Sequence, residues 1–131
     1  MPVLDTSFVI DFLRGDSSAV RLFKLLAQQG APLGVTPYTH FELYAGIGRS
    51  RRPQDEKAAV EGMLRGLAVF PFDPEAARMA GLLDAQLAAK GTAVGVIDLL
   101  IGSVAIHHGE PIVTRNKAHF EPIAGLEILT Y

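Results

Sequence analysis

Short apolar runs alternate along this chain with longer segments whose apolar residues recur at helical spacing. Pro2 to Leu4 reads as a first strand, and Phe8, Val9, Ile10, Phe12 and Leu13 read as a mostly buried helix ending near Leu13. Gly15-Asp16-Ser17-Ser18 breaks it, and "AVRLFKLLAQQG" predicts a second helix closed by Gly30. "PLGV" predicts a short strand. Thr36-Pro37 supplies an N-cap followed by proline in the first turn, launching a helix through about Ile47. "RSRRP" is a cationic loop, and "QDEKAAVEGMLRGL" is amphipathic with Ala59, Met63 and Leu67 along one side. "LAVFPF" reads as extended. Asp73-Pro74 caps a helix running to about Lys90, and "VGVIDLLIGSVAIHHG" is a helix without a polar face, hence a buried one. Pro111 to Thr114 is a strand, "NKAHF" a short helical turn and "LEILTY" a last strand.

Strands alternating with helices predict an α/β fold with a mostly parallel sheet. Such sheets bind ligands at the carboxyl ends of their strands. Three groups fall there: Asp5 after "VL", Thr36 after "GV", and Thr114-Arg115-Asn116 after "IV". A length of 131 residues, with no repeat or linker, predicts one domain over 1–131. The net charge of −2 excludes a molecule that grips polyanions by bulk charge, so such binding needs a local patch or metal ions. Zero cysteines exclude disulfides, thiolate zinc sites and Cys nucleophiles, and fit a cytoplasmic protein. No export signal follows Met1-Pro2, and no apolar stretch is long enough to span a bilayer, so no membrane partner is expected.

Asp98 changes the picture most. It is the only formal charge between Gly91 and Ile106, in the first turns of the most apolar helix. A carboxylate isolated there would cost several kcal/mol, whereas the helix N-terminus returns only about 0.3–1 kcal/mol. A cation in a cleft accounts for it better than an N-cap does. Asp5 stands beside Thr6 and Ser7, either of which could cap the first helix, so capping does not require an acid. Glu42 lies in a helix that also carries Phe41, Leu43, Tyr44 and Ile47, which leaves little face for water. Three carboxylates on apolar elements repel one another unless something positive joins them. Hard oxygen donors without Cys select Mg2+ or Mn2+, and two such ions about 3.5–4 Å apart are a standard device for phosphodiester hydrolysis. Hydroxyls of Thr6, Ser7 and Thr114 could orient the ligands.

Four blocks carry a resemblance: "VLDTSFVIDFL", "TPYTHFELYAGI" around Glu42, "GVIDLLIGSVAIHHG" around Asp98, and "PIVTRNKAHF". In their order and spacing, over essentially the whole chain, they resemble the PIN domain, and most closely the VapC-type ribonuclease toxins of toxin–antitoxin pairs. The resemblance implies a three-layer α/β/α sandwich, a Mg2+- or Mn2+-dependent endoribonuclease acting on RNA, an antitoxin partner that blocks the site, and a homodimer. Carried over by position, Asp5, Glu42 and Asp98 would be metal ligands, with Thr6 or Ser7 and Thr114 in support. The chain departs from the family in "TRNKAHF", where many members have a further acid and this sequence has Asn116 and His119. Asn116 offers a neutral oxygen to an ion, and a second ion would rely on substrate oxygens.

Other positive charges give phosphate contacts a place. Arg14, Arg115 and Lys117 lie nearest the expected cleft, and "RSRR" at 49–52 could bind RNA or an antitoxin. Asp11, flanked by Ile10 and Phe12, is expected at the polar edge of its helix. Two other functions share parts of the pattern. A phospho-acceptor signalling domain needs an acidic pair after the first strand, where Asp5 stands alone. A PIN-like module binding RNA or protein with weakened catalysis would be suggested by Asn116 and His119.

Overall fold

The computed structural model describes residues 1–131. Five two-residue strands, β1 (Val3–Leu4), β2 (Gly34–Val35), β3 (Ala68–Val69), β4 (Ile112–Val113) and β5 (Ile128–Leu129), pair in the order β3-β2-β1-β4-β5. All four pairings are parallel, and Val3 sits opposite both Gly34 and Ile112. Helices α1 (Thr6–Leu13) and α2 (Ser17–Gln28) connect β1 to β2, and α3 (Pro37–Gly48) and α4 (Pro53–Leu64) connect β2 to β3. Helices α5 (Pro74–Ala89) and α6 (Val96–His107) return the chain across the sheet to β4, and α7 (Lys117–Phe120) leads to β5.

Strand alternation makes the layers. Val3 and Ile112 face a cluster with Leu83, Leu99, Ile101, Val104 and Phe120 from α5, α6 and α7. Their neighbours Leu4 and Val113 face the opposite way, onto Phe8, Val9, Leu26, Leu43 and Val60 from α1–α4. The result is the α/β/α sandwich that the sequence resemblance implies. Each fully buried large side chain, such as Phe8 or Phe120, contributes about 1.5–3 kcal/mol. Gly34 is needed in β2 because the Phe70 ring lies against its Cα, where a Cβ would overlap it.

Two helix faces differ from the sequence pattern. In α4 the buried residue is Val60, while Ala59 is exposed and Leu67 lies beyond the helix. Met63 and Leu67 pack against the cluster of Leu43 and Ile47 as the pattern predicts, but Val60 rather than Ala59 is the residue buried in it, because α3 lies on that side. Asp11 is not a polar edge but is 7% exposed. Its carboxylate accepts hydrogen bonds from Arg115 Nη1 at 2.5 Å and from Tyr131 Oη at 2.6 Å. Burial and this carboxylate hold the Tyr131 phenol above its ordinary range. No helix is long and apolar enough to cross a membrane.

Candidate metal centre

The strand order reverses direction at the centre: from β1 the chain moves outward to β2 and β3, then crosses to β4 on the other side. At such a switch point the loops leaving two neighbouring strands diverge and open a crevice at their carboxyl ends. Asp5 follows β1 and Thr114 follows β4, so both stand at that crevice.

Asp5 occupies the N-cap position of α1, yet its side chain caps nothing. Its Oδ2 instead accepts hydrogen bonds from Ser7 Oγ at 2.9 Å and Thr114 Oγ1 at 2.8 Å. Asp5 is 4% exposed and Thr114 is completely buried, so these hydroxyls replace water and fix the carboxylate. Thr114 Oγ1 also accepts the Asn116 N–H at 2.9 Å, and Ser7 Oγ accepts the Arg115 N–H at 3.2 Å. The loop after β4 is thereby tied to the start of α1.

Thr36 caps α3, its Oγ1 accepting the Thr39 N–H at 3.4 Å, and that helix delivers Glu42. Glu42 Oε1 accepts a 2.6 Å hydrogen bond from Thr6 Oγ1, and Thr39 Oγ1 lies 3.0 Å from the same hydroxyl. A hydroxyl donates one proton and a carboxylate donates none, so Thr39 is the donor to Thr6. Burial first, then the charges of Asp5 and Asp98, push the Glu42 carboxyl above its usual range, while Thr6 pulls it down. Asp98 enters from the first turn of α6, where Gly95 is the N-cap, so the acid is not the cap. Its side chain is 26% exposed, and its Oδ2 lies 3.3 Å from His119 Nδ1 of α7. Burial and Asp5 raise its pKa, with His119 acting in the opposite sense.

The structure therefore gathers the three acids within electrostatic reach of one another, from three separate helix starts and turns. The donor set is hard oxygen on fixed hydroxyl supports, which fits Mg2+ or Mn2+. As placed, no three His, Asp or Glu side chains form a ready-made cage for an ion, in keeping with the mutual repulsion that raises Glu42 and Asp98.

The cationic residues divide. Arg14, Arg51 and Arg52 line a groove of about 710 Å³ between α1, α3 and α4, with Glu42 also in its wall. Arg115 is committed to Asp11, and Lys117 lies 3.6 Å from Glu121 along α7. Sequence reasoning missed the Asp11–Arg115–Tyr131 connection, which joins positions over 100 residues apart and leaves no local signal. It also missed the contact of His119 with Asp98.

The PIN domain family profile matches residues 3–126. This chain belongs to the PIN domain family. A relative from Shigella flexneri, the tRNA(fMet)-specific endonuclease VapC, is 34% identical over 125 residues, covering 95% of this chain and 92% of that protein. Among solved structures, DNA-bound VapBC from Salmonella typhimurium superposes with a TM-score of 0.89 at 32% identity, covering 99% of this chain and 98% of that one. VapBC2 from Rickettsia felis, bound to a DNA fragment from its promoter, gives 0.92 at 25% identity over 98% and 97% of the two chains. In this PIN domain Asp5, Ser7 and Thr114 are joined by hydrogen bonds, Thr6 is bonded to Glu42, Asp98 is coupled to Asp5 and Glu42 by charge alone, and Asn116 meets Thr114 through its backbone N–H.

Proposed function

We propose that this PIN domain is an endoribonuclease, the toxin of a VapBC-type pair, that cleaves RNA phosphodiester bonds with Mg2+ or Mn2+ held by Asp5, Glu42 and Asp98. The observation that carries the proposal is the convergence of three carboxylates, two with raised pKa values, at the switch point of the sheet. VapC ribonucleases among the relatives and VapBC complexes among the structures support the activity and the antitoxin partner.

The chain's own residues do the following. Ser7 and Thr114 hold the Asp5 carboxylate in one orientation, and Thr6 holds Glu42, so two of the three acids are fixed by hydroxyls before an ion arrives. Asn116 adds a neutral oxygen. The chemistry a divalent ion supplies there is activation of water and neutralisation of charge on the phosphodiester. Arg14, with Arg51 and Arg52 further along the groove, meets the RNA backbone; Arg115 and Lys117 are paired with Asp11 and Glu121 and reach RNA only by leaving those partners. The exposed Phe41, Tyr44, Leu82 and Val96 support the homodimer, and the absence of cysteine supports action in the cytoplasm.

The test is cleavage of RNA by the purified chain freed of its antitoxin. Activity should require added Mg2+ or Mn2+, vanish with excess EDTA and return on adding back the ion. Cleavage that survives EDTA, in preparations where Asp5→Asn removes it, overturns the metal assignment. A chain that binds RNA with either ion but never cuts it would favour the binding module suggested by Asn116 and His119.

A further inference from the structure

Two side chains on the loop after β4 stand near the acids, and they are placed differently. Asn116 opens α7 with a side chain that caps nothing, and its engaged group is the backbone N–H. His119 reaches across from α7 to α6 and sets Nδ1 3.3 Å from Asp98 Oδ2. Its ring is 59% exposed, so the contact is not enforced by packing. An exposed pair of this kind adds at most about 1 kcal/mol to stability, which gives the fold little reason to keep it.

Resting on the reading of Asp98 as a metal ligand, we propose that His119 binds the same ion through Nδ1 and shifts the site from Mg2+ toward first-row transition ions. The separation fits that role better than an ion pair. Charge-assisted N–H···O bonds close to about 2.7–2.9 Å, and this pair stands further apart. Adjacent ligands at about 2.1 Å from an octahedral ion lie about 3 Å from each other, so a small movement of an exposed ring completes the edge. Mg2+ takes oxygen ligands in near-ideal octahedra and keeps its waters, whereas affinity for imidazole rises along the transition series from Mn2+ onward. A nitrogen among the carboxylates therefore penalises Mg2+ and favours Mn2+. The loop thus contributes a neutral borderline donor where a carboxylate would contribute a hard charged one.

Mn2+ is the probe. The full chain, freed of divalent ions, is titrated with Mn2+ and separately with Mg2+ by calorimetry, and the Mn2+ complex is read by pulsed electron paramagnetic resonance. Nitrogen modulation from a coordinated imidazole is expected in the parent and absent in His119→Gln. His119→Asp should lower the ratio of Mn2+ to Mg2+ affinity by about tenfold or more. Because the ring is exposed, both variants should melt within a few degrees of the parent, which separates ligand loss from misfolding. Mn2+ that binds without nitrogen modulation, or modulation that persists in His119→Gln, overturns the proposal and leaves the carboxylate site standing. A parent that binds no Mn2+ overturns both.

Discussion

Thr114→Val isolates the support under Asp5. The substitution keeps the branched shape and deletes one hydroxyl, which donates to Asp5 Oδ2 at 2.8 Å and accepts the Asn116 N–H at 2.9 Å. Thr114 is wholly buried and Asp5 is 4% exposed, so water cannot enter to replace the lost donor, and Ser7 alone remains. A hydrogen bond to a charged group contributes about 1.5–3 kcal/mol, and the released Asn116 N–H is only half-buried and regains water. The expected loss is about 2 kcal/mol, which for a chain of this length lowers Tm by about 6–10 °C. A carboxylate freed to rotate should also cost about 10–100-fold in cleavage. Thermal melts by circular dichroism in metal-free buffer, paired with RNA cleavage rates, read both effects. Thr114→Ser should restore most of each, because it keeps the hydroxyl. A Val variant melting within 2 °C of the parent with full activity would refute the claim that Thr114 holds Asp5.

Asp98→Asn tests the repulsion. An acid whose folded pKa is raised favours the folded state while protonated, and that contribution fades as pH rises from about 4 through the raised value; the Tm of Asp98→Asn minus that of the parent should therefore grow from acid to neutral pH without metal, while cleavage is lost. A variant that melts below the parent at pH 7 contradicts this. Asp11→Asn weakens the links to Arg115 and Tyr131 and should cost about 1–3 kcal/mol, read as an early urea midpoint, with Tyr131→Phe showing a smaller part of the same loss; an unchanged midpoint in both would mean the connection is idle. Gly34→Ala forces a Cβ into the Phe70 ring and should cost about 1–3 kcal/mol, partly recovered in combination with Phe70→Leu; a melt equal to the parent's would show that the ring has room to move.

The elements were legible because their local signals agree. Thr36-Pro37 and Asp73-Pro74 do cap α3 and α5, both side chains accepting the N–H three residues on. The apolar run around Asp98 does become a helix with six buried residues, Leu99 and Ile101 to Ala105. Asp5, Glu42 and Asp98 could be picked out because each breaks an apolar context near a strand end, and short range suffices to see that. What was illegible depends on which distant segment packs where. Val60 rather than Ala59 faces inward because α3 lies on that side. Asp11 looks like an ordinary helix-edge acid until β4 and the C-terminus bring Arg115 and Tyr131 to it. Asp98, expected without a wet side, keeps a quarter of its side chain in solvent because it lies in the first turn of α6, where Gly95 and Val96 are exposed. His108, at the end of α6, packs its ring on Phe70 from a distant segment, and its Nε2 is buried without a partner.

The central claim is that Asp5, Glu42 and Asp98 together hold the ion that cuts RNA. Anomalous scattering from Mn2+ soaked into crystals of the parent chain tests it most directly. A peak is expected in the crevice beyond β1 and β4, within about 2.0–2.3 Å of carboxylate oxygens from these acids, with no peak there in Asp5→Asn crystals, whose protein no longer cleaves RNA. A strong peak elsewhere on an active protein, with the crevice empty at saturating Mn2+, would contradict it.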